Sequence, residues 1–275
     1  MKRASLAVLS TLMFAAPAAQ AADMALKAPP APPPIFSWTG CYIGGNAGGS
    51  WQRTNNSLSV TNNPTAGYFF PGAIPGVNAS GTGSLNSDSF TVGAQIGCNY
   101  QIQNFVWGAE TDINWLHQNP SNGGRSLYTT NGAPYFLTFS DDKNWFYTLR
   151  GRVGLAADHA LFYLTGGLAA TNLRFQQTFS EPPFTPTPEV ASDSTRLGWT
   201  IGVGAEYAFT NNWSVKGEYL YARFQDNVVG TLANGSGSGP GCVAAFACGA
   251  TFTNSVTTNL HFLRAGLNYR FGGPM

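Results

Sequence analysis

Residues Leu197 to Phe209 read Leu-Gly-Trp-Thr-Ile-Gly-Val-Gly-Ala-Glu-Tyr-Ala-Phe. The odd positions, Leu197, Trp199, Ile201, Val203, Ala205, Tyr207 and Phe209, are all apolar, and Gly198, Thr200, Gly202, Gly204, Glu206 and Ala208 stand between them. A strand turns successive side chains to opposite faces, so this stretch has one apolar face and one small-or-polar face. It is longer than the usual strand of about 5–6 residues. A tilted strand crossing a bilayer needs about 9–11.

The same period recurs outward from this segment. Phe90, Val92, Ala94, Ile96, Cys98 and Tyr100 alternate with small or polar residues, as do Trp145, Tyr147, Leu149, Val153 and Leu155, and Leu263, Ala265, Leu267, Tyr269 and Phe271. Eight such segments are predicted, at roughly 39–51, 90–101, 105–115, 144–156, 161–173, 196–209, 213–224 and 259–271. Their connections alternate in length. Those at 102–104, 157–160 and 210–212 are short and carry the turn-formers Asn104, Asp158, Asn211 and Asn212. Those at 52–89, 116–143, 174–195 and 225–258 are long and rich in Gly, Asn, Ser, Thr and Pro. Strands passed up and down through a membrane produce this rhythm, with tight periplasmic turns and long outer loops. The expected fold is therefore all-β: an eight-stranded antiparallel up-and-down transmembrane barrel with four long extracellular loops.

Composition agrees. Only 10% of the 275 residues are charged, against roughly 25% in soluble domains. The net charge of +1 gives no basic footprint for nucleic acid. Aromatics fall in two tiers, as in the girdles of outer-membrane barrels. Tyr100, Trp107, Phe209, Trp213, Tyr269 and Phe271 lie near the short turns, and Trp51, Trp115, Trp145, Trp199 and Tyr221 toward the long loops.

The N-terminus reads as an export signal. Lys2 and Arg3 precede an apolar run from Leu6 to Ala19, and Ala19-Gln20-Ala21 supplies a small-x-small cleavage site before Ala22. The expected organisation is a signal peptide over 1–21, a Pro-rich periplasmic segment over 22–37, a barrel over 38–271 and a tail over 272–275.

Inward parity collects Glu110, Asp112, Arg150, Arg152, Glu206, Lys216, Glu218, Arg264 and Arg270. If Phe209 and Trp213 flank the Asn211 turn as an opposed pair, Glu206 falls opposite Lys216, within ion-pair reach. The lumen of an eight-stranded barrel is just wide enough for side chains to fill. These charges are therefore expected to form a plug; the sharper alternative is a gated narrow channel.

Trp38-Thr39-Gly40-Cys41-Tyr42-Ile43-Gly44-Gly45-Asn46, Leu164-Thr165-Gly166-Gly167-Leu168-Ala169, Gly202-Val203-Gly204-Ala205-Glu206-Tyr207 and Leu267-Asn268-Tyr269-Arg270-Phe271 resemble the small porin-like outer-membrane proteins of the RopB type. The barrel of that family is similar to the OmpA transmembrane domain. The resemblance implies residence in the bacterial outer membrane and envelope structure, with porin or surface-binding roles. It also implies contact with the barrel-assembly machinery through the last strand. Such barrels often end at the aromatic of that strand, whereas here Gly272-Gly273-Pro274-Met275 follow Phe271.

No cofactor is expected. His117, His159 and His261 show no ligand spacing. His117 with Asp141 or Asp142 across the second long loop is the one arrangement that would suit an enzyme, and no motif supplies a nucleophile beside it. Gly44 to Gly49 lacks the Gly-Lys-Ser/Thr end of a phosphate loop. Cys242 and Cys248 share one outer loop in a disulfide-permissive compartment and are expected to bridge. Cys41 and Cys98 are expected to be free, lipid-facing thiols. The functional expectation is a non-enzymatic barrel for envelope integrity and surface display. The alternatives are a narrow pore for small solutes, or a receptor or adhesin whose long loops bind haem or a host ligand.

Overall fold

The computed structural model describes residues 36–272, apart from 65, 119, 128–131, 133, 181–188 and 235–247. The predicted signal peptide and nearly all of the Pro-rich segment lie outside the described residues. Nine strands form one antiparallel sheet: β1 (Gly40–Asn62), β2 (Gly83–Ile102), β3 (Phe105–Gln118), β4 (Ser121–Leu127), β5 (Pro134–Ala157), β6 (Ala160–Ser180), β7 (Glu189–Ala208), β8 (Trp213–Asn234) and β9 (Cys248–Phe271). A short helix, α1 (Ile74–Gly81), precedes β2.

The sheet closes on itself because β3 pairs with β5 and β1 with β9. β4 pairs only with β5, above the point where β3 leaves it. The closed circuit thus passes through eight strands, and β4 is an additional piece the sequence pattern does not predict. Tight turns join β2 to β3, β5 to β6 and β7 to β8; Gln103 and Asp158 take positive φ in the first two.

The strands run far beyond their predicted outer ends. β1 reaches Asn62 rather than about 51, and β9 begins at Cys248 rather than about 259. The cause is an inversion of face. Near the turns, Ile43 on β1 and Leu263 and Leu267 on β9 point outward and are exposed. Higher up, Leu58 and Val60 on β1 and Phe252, Val256 and Leu260 on β9 are buried in the lumen. The apolar stripe moves from the outside of the wall to the inside, as expected where the surroundings change from hydrocarbon to water. The Ser-, Thr- and Asn-rich segments that resemble loops are the water-facing walls of this outer half.

On one wall, the rung Ile43–Tyr269–Trp213 marks one aromatic tier and Trp51–His261–Tyr221 the other, eight residues along each strand. At about 3.3 Å per residue and ~40° of tilt, that separates them by roughly 20 Å along the barrel axis, near the ~25 Å apolar band of such barrels. Apolar side chains between the tiers are exposed; Leu164 and Val203, for example, are 59% and 51% exposed.

Helix α1 closes the outer half. Its Val77 is buried with Leu58, Leu137, Tyr68, Phe69, Phe179 and Phe252. β1 loses β2 as a partner beyond Asn56, and there the helix side takes over: Leu58 N donates to Thr82 Oγ1 (3.2 Å) and Val60 N to Asn78 Oδ1 (2.8 Å). A sheet edge that would otherwise expose unpaired N–H groups is covered.

One cysteine expectation is overturned. Cys41 and Cys98 form a disulfide between the directly opposed positions of β1 and β2. Alternation shows only their apolar facing, and the opposition that brings both sulfurs together follows from a register that one sequence does not reveal. Cys248 is not a free thiol, while its predicted partner Cys242 lies outside the described residues. Non-reducing peptide mapping of the mature protein is expected to recover Cys41 and Cys98 in one linked peptide; alkylation of both without prior reduction would contradict the bridge.

Candidate functional site

The lumen of the membrane half holds all nine predicted charges, each buried. They are drawn together because inward positions of β3, β5, β7, β8 and β9 converge on one narrow axis. At the centre Arg150 donates to Glu110 (2.5 Å), Asp112 (2.7 Å) and Glu218 (2.9 Å). Arg264 spans Asp112 and Glu218 at 2.9 Å and 2.7 Å. Toward the turns, Arg152 meets Glu206 at 3.0 Å and lies over the Tyr163 ring at 3.9 Å. Tyr42, on β1, links the two groups: its hydroxyl donates to Glu110 (2.5 Å) and accepts from Arg152 (2.6 Å). Sequence parity alone had not selected Tyr42.

Glu206 and Lys216 are opposed in register as predicted, but they do not pair. Lys216 extends across the lumen to Glu110, 2.9 Å from both carboxylate oxygens. Glu206 instead accepts from Ser214 (2.6 Å) and Asn268 (2.9 Å) besides Arg152. In so narrow a barrel the far wall is as close as the neighbouring strand.

Arg270 stands apart from the network. It forms no ion pair among the described residues; its guanidinium lies 4.4 Å from the Phe36 ring and 5.1 Å from Trp38, and it donates to the carbonyls of Ser37 and Asn211. Phe36 and Trp38 are buried in the turn end of the lumen with Val106, Leu161, Tyr163 and Ala208. Without Arg270, four carboxylates face four cations, and desolvated charges are tolerated when so paired.

Above the ions Leu116, Phe146, Leu220, Phe224, Leu260 and Phe262 fill the cross-section, with Phe146 and Phe262 stacked at 4.5 Å. A polar layer follows: Asp141, paired with Lys143, accepts from Gln52 (2.9 Å) and Thr54 (2.7 Å). The aromatic cluster around α1 lies beyond it. Successive apolar, ionic, apolar, polar and apolar layers therefore occupy the lumen. Gly44 and Gly48 belong to this packing: a Cβ on either would sit 2.1 Å from Asn268 Oδ1 or the Leu263 carbonyl.

The predicted girdle residues Trp51, Trp107, Trp115, Trp145, Trp199, Trp213, Tyr269 and Phe271 lie on the outer face, and Trp115 and Trp145 are directly opposed. The histidines do not converge. His117 is exposed outside the wall while Asp141 is buried within it. His261 meets the Tyr219 hydroxyl at 2.7 Å and His159 meets Asp158 at 2.7 Å. No cluster of three metal-ligating side chains occurs among the described residues.

A family model described as an outer membrane protein beta-barrel domain matches residues 6–271. The 31 kDa outer-membrane immunogenic protein of Brucella melitensis is 34% identical over 269 residues, covering 94% of this chain and 95% of that one. The chain belongs to the outer-membrane β-barrel protein family. This outer-membrane barrel is also 29% identical over 157 residues to a 22 kDa outer membrane protein of Rhizobium leguminosarum, covering 55% of this chain and 63% of that one. Among solved structures, OprG of Pseudomonas aeruginosa aligns with a TM-score of 0.40 at 12% identity, over 86% of this chain and 99% of that one. The family shown is this broad one; the narrower RopB-type likeness rests on the motifs quoted above. As a member, the barrel resides in the bacterial outer membrane with lipid around its wall.

Proposed function

We propose that this barrel is a closed, non-enzymatic element of the outer membrane that stiffens the envelope and holds an extended, loop-bearing head above the lipid. The observation that carries this reading is the filled lumen. Arg150 and Arg264 tie three carboxylates from two strands across the bore, and apolar layers lie on both sides of them. A charge network this tightly cross-paired offers a small solute no continuous polar path. In planar bilayers the purified protein is expected to give a silent trace, and steady openings would favour the narrow-pore alternative.

The head supports surface display. β9 runs 24 residues, roughly 60 Å along the axis at ~3.3 Å per residue and ~40° tilt, so more than half the barrel stands clear of the hydrocarbon. Several relatives are named for being immunogenic, and outer loops are where binding functions of rigid scaffolds reside. Three further parts of this reading are the cleaved leader before Ala22, recognition by the assembly machinery through β9, and a Cys242–Cys248 bridge in the last outer loop.

A further inference from the structure

The outer wall formed by β8, β9 and β1 carries an ordered ladder of side chains. From the turn end upward, its rungs are Trp213–Tyr269–Ile43, Val215–Leu267–Gly45, Gly217–Ala265–Ala47, Tyr219–Leu263–Gly49, Tyr221–His261–Trp51 and Arg223–Asn259–Arg53. The second and third rungs form the floor of a shallow apolar groove lined by Gly45, Ala47, Val215, Ala265 and Leu267. Two residues above the aromatic tier, the wall turns basic.

Arg53 and Arg223 flank Asn259 in register, one strand away on each side, so their Cα atoms stand about 10 Å apart. Among the described residues neither guanidinium makes an ion pair or a hydrogen bond, and the Nε of Arg223 is buried without a partner. Asn259 accepts from the Tyr221 hydroxyl at 2.7 Å through its oxygen, which leaves its NH2 group available as a third donor. One outward carboxylate borders the patch: Asp88, opposite Trp51 on β2, and it does not pair with Arg53. The contrast with Arg174 is direct, since that outward arginine is neutralised by Asp193 at 2.8 Å.

We propose that Arg53, Arg223 and the Asn259 amide bind the phosphate of an outer-leaflet lipid whose acyl chains lie in the small-residue groove below. This rests on the outer-membrane placement and names a lipid partner for the envelope role. The level fits. Two residues above the aromatic tier is roughly 5 Å along the axis at ~3.3 Å per residue and ~40° of tilt, where headgroup phosphate replaces hydrocarbon. The charge fits as well, because guanidinium forks match phosphate oxygens in bidentate geometry. Gly45, Ala47, Gly217 and Ala265 remove side-chain bulk where the chains would pass.

The test is native mass spectrometry of the full mature protein in detergent, titrated with diphosphoryl lipid A. Heat-modifiable gel migration checks that each variant is folded. Wild type is expected to retain lipid A in preference to a dephosphorylated lipid A, and excess inorganic phosphate is expected to leave it bound. Arg53→Gln with Arg223→Gln is expected to weaken binding about tenfold or more, on the scale of one lost charge-assisted hydrogen bond, while Arg174→Gln leaves it unchanged. Equal retention by the folded double variant would overturn the proposal, as would equal retention of the dephosphorylated lipid by wild type. Displacement by inorganic phosphate would also overturn it, pointing to a free-anion site. The wild-type comparison holds even where the double variant does not fold, and none of these outcomes bears on whether the lumen is closed.

Discussion

Arg150→Ala is expected to lower the unfolding free energy of the membrane-inserted barrel by about 3–5 kcal/mol, the usual penalty for breaking a buried ion network from one side. Among the described residues Arg150 is the one cation that touches Glu110, Asp112 and Glu218 together. Its removal leaves those carboxylates with Lys216, Arg264 and, 3.6 Å from Glu110, Arg152, all of them already engaged, inside a lumen filled by buried side chains. Arg264→Ala is expected to cost a similar amount, because Asp112 and Glu218 both depend on it. Arg270→Ala serves as the internal contrast. Its charge rests on ring faces and backbone carbonyls, so its loss is expected to cost about 1 kcal/mol, the scale of a cation–π contact and a hydrogen bond. Urea unfolding from lipid vesicles, followed by tryptophan fluorescence, measures all three. Equal small losses for Arg150→Ala and Arg270→Ala would mean that the network does not carry the fold.

The second large effect is on the other face of the wall. Val203 is 51% exposed, lies opposite Leu164 and Tyr219 on the neighbouring strands, and stands between the two aromatic tiers. Val203→Arg is expected to destabilise the inserted barrel by about 2–4 kcal/mol, the cost of a cation near the bilayer midplane on a barrel wall. The same substitution at Val229, which is 59% exposed but lies on the outer half of β8, is expected to change stability by under about 0.5 kcal/mol, because water already covers that position. The same vesicle unfolding assay separates them. A large penalty at both sites, or at neither, would contradict a wall that passes from hydrocarbon into water.

That inversion explains what was legible in the sequence. The membrane half was legible because hydrocarbon outside and charge inside write a strong period-two signal, so the circuit of eight paired strands, the short turns and the inward set from Glu110 to Arg270 could all be placed. The outer half was not. Thr54 to Asn62 and Thr251 to Thr258 alternate weakly, since Leu58, Val60, Phe252 and Val256 carry a stripe of opposite parity among Ser, Thr and Asn. An irregularity between Asp142 and Phe146 also inverts the parity of β5, whose inward set passes from Asp141 and Lys143 to Phe146 and Thr148, while β3 keeps its even positions inward as far as Gln118. Cross-lumen choices were equally out of reach. Register could be counted from the Asn211 turn and gave Glu206 opposite Lys216. Whether Lys216 then takes Glu206 or Glu110 depends on the bore, which no local pattern encodes. The Cys41–Cys98 bridge was missed for the related reason that pairing β1 with β2 spans a long connection of unknown path.

The ladder on β8, β9 and β1 shows how the two halves meet. Small residues, aromatics and unpaired arginines succeed one another in the order that hydrocarbon, interface and headgroup require, and each position follows from strand geometry alone.

The most direct measurement is a nitroxide scan through the outward positions Ile201, Val203 and Ala205 of β7, with Val229 on the outer half of β8 as reference, in lipid vesicles, reading accessibility to oxygen and to a water-soluble nickel reagent. The predicted result is that oxygen, and not nickel, reaches labels at 201, 203 and 205, while nickel reaches the label at 229. Nickel accessibility at 201, 203 and 205 would put water where this account requires lipid, and would contradict it.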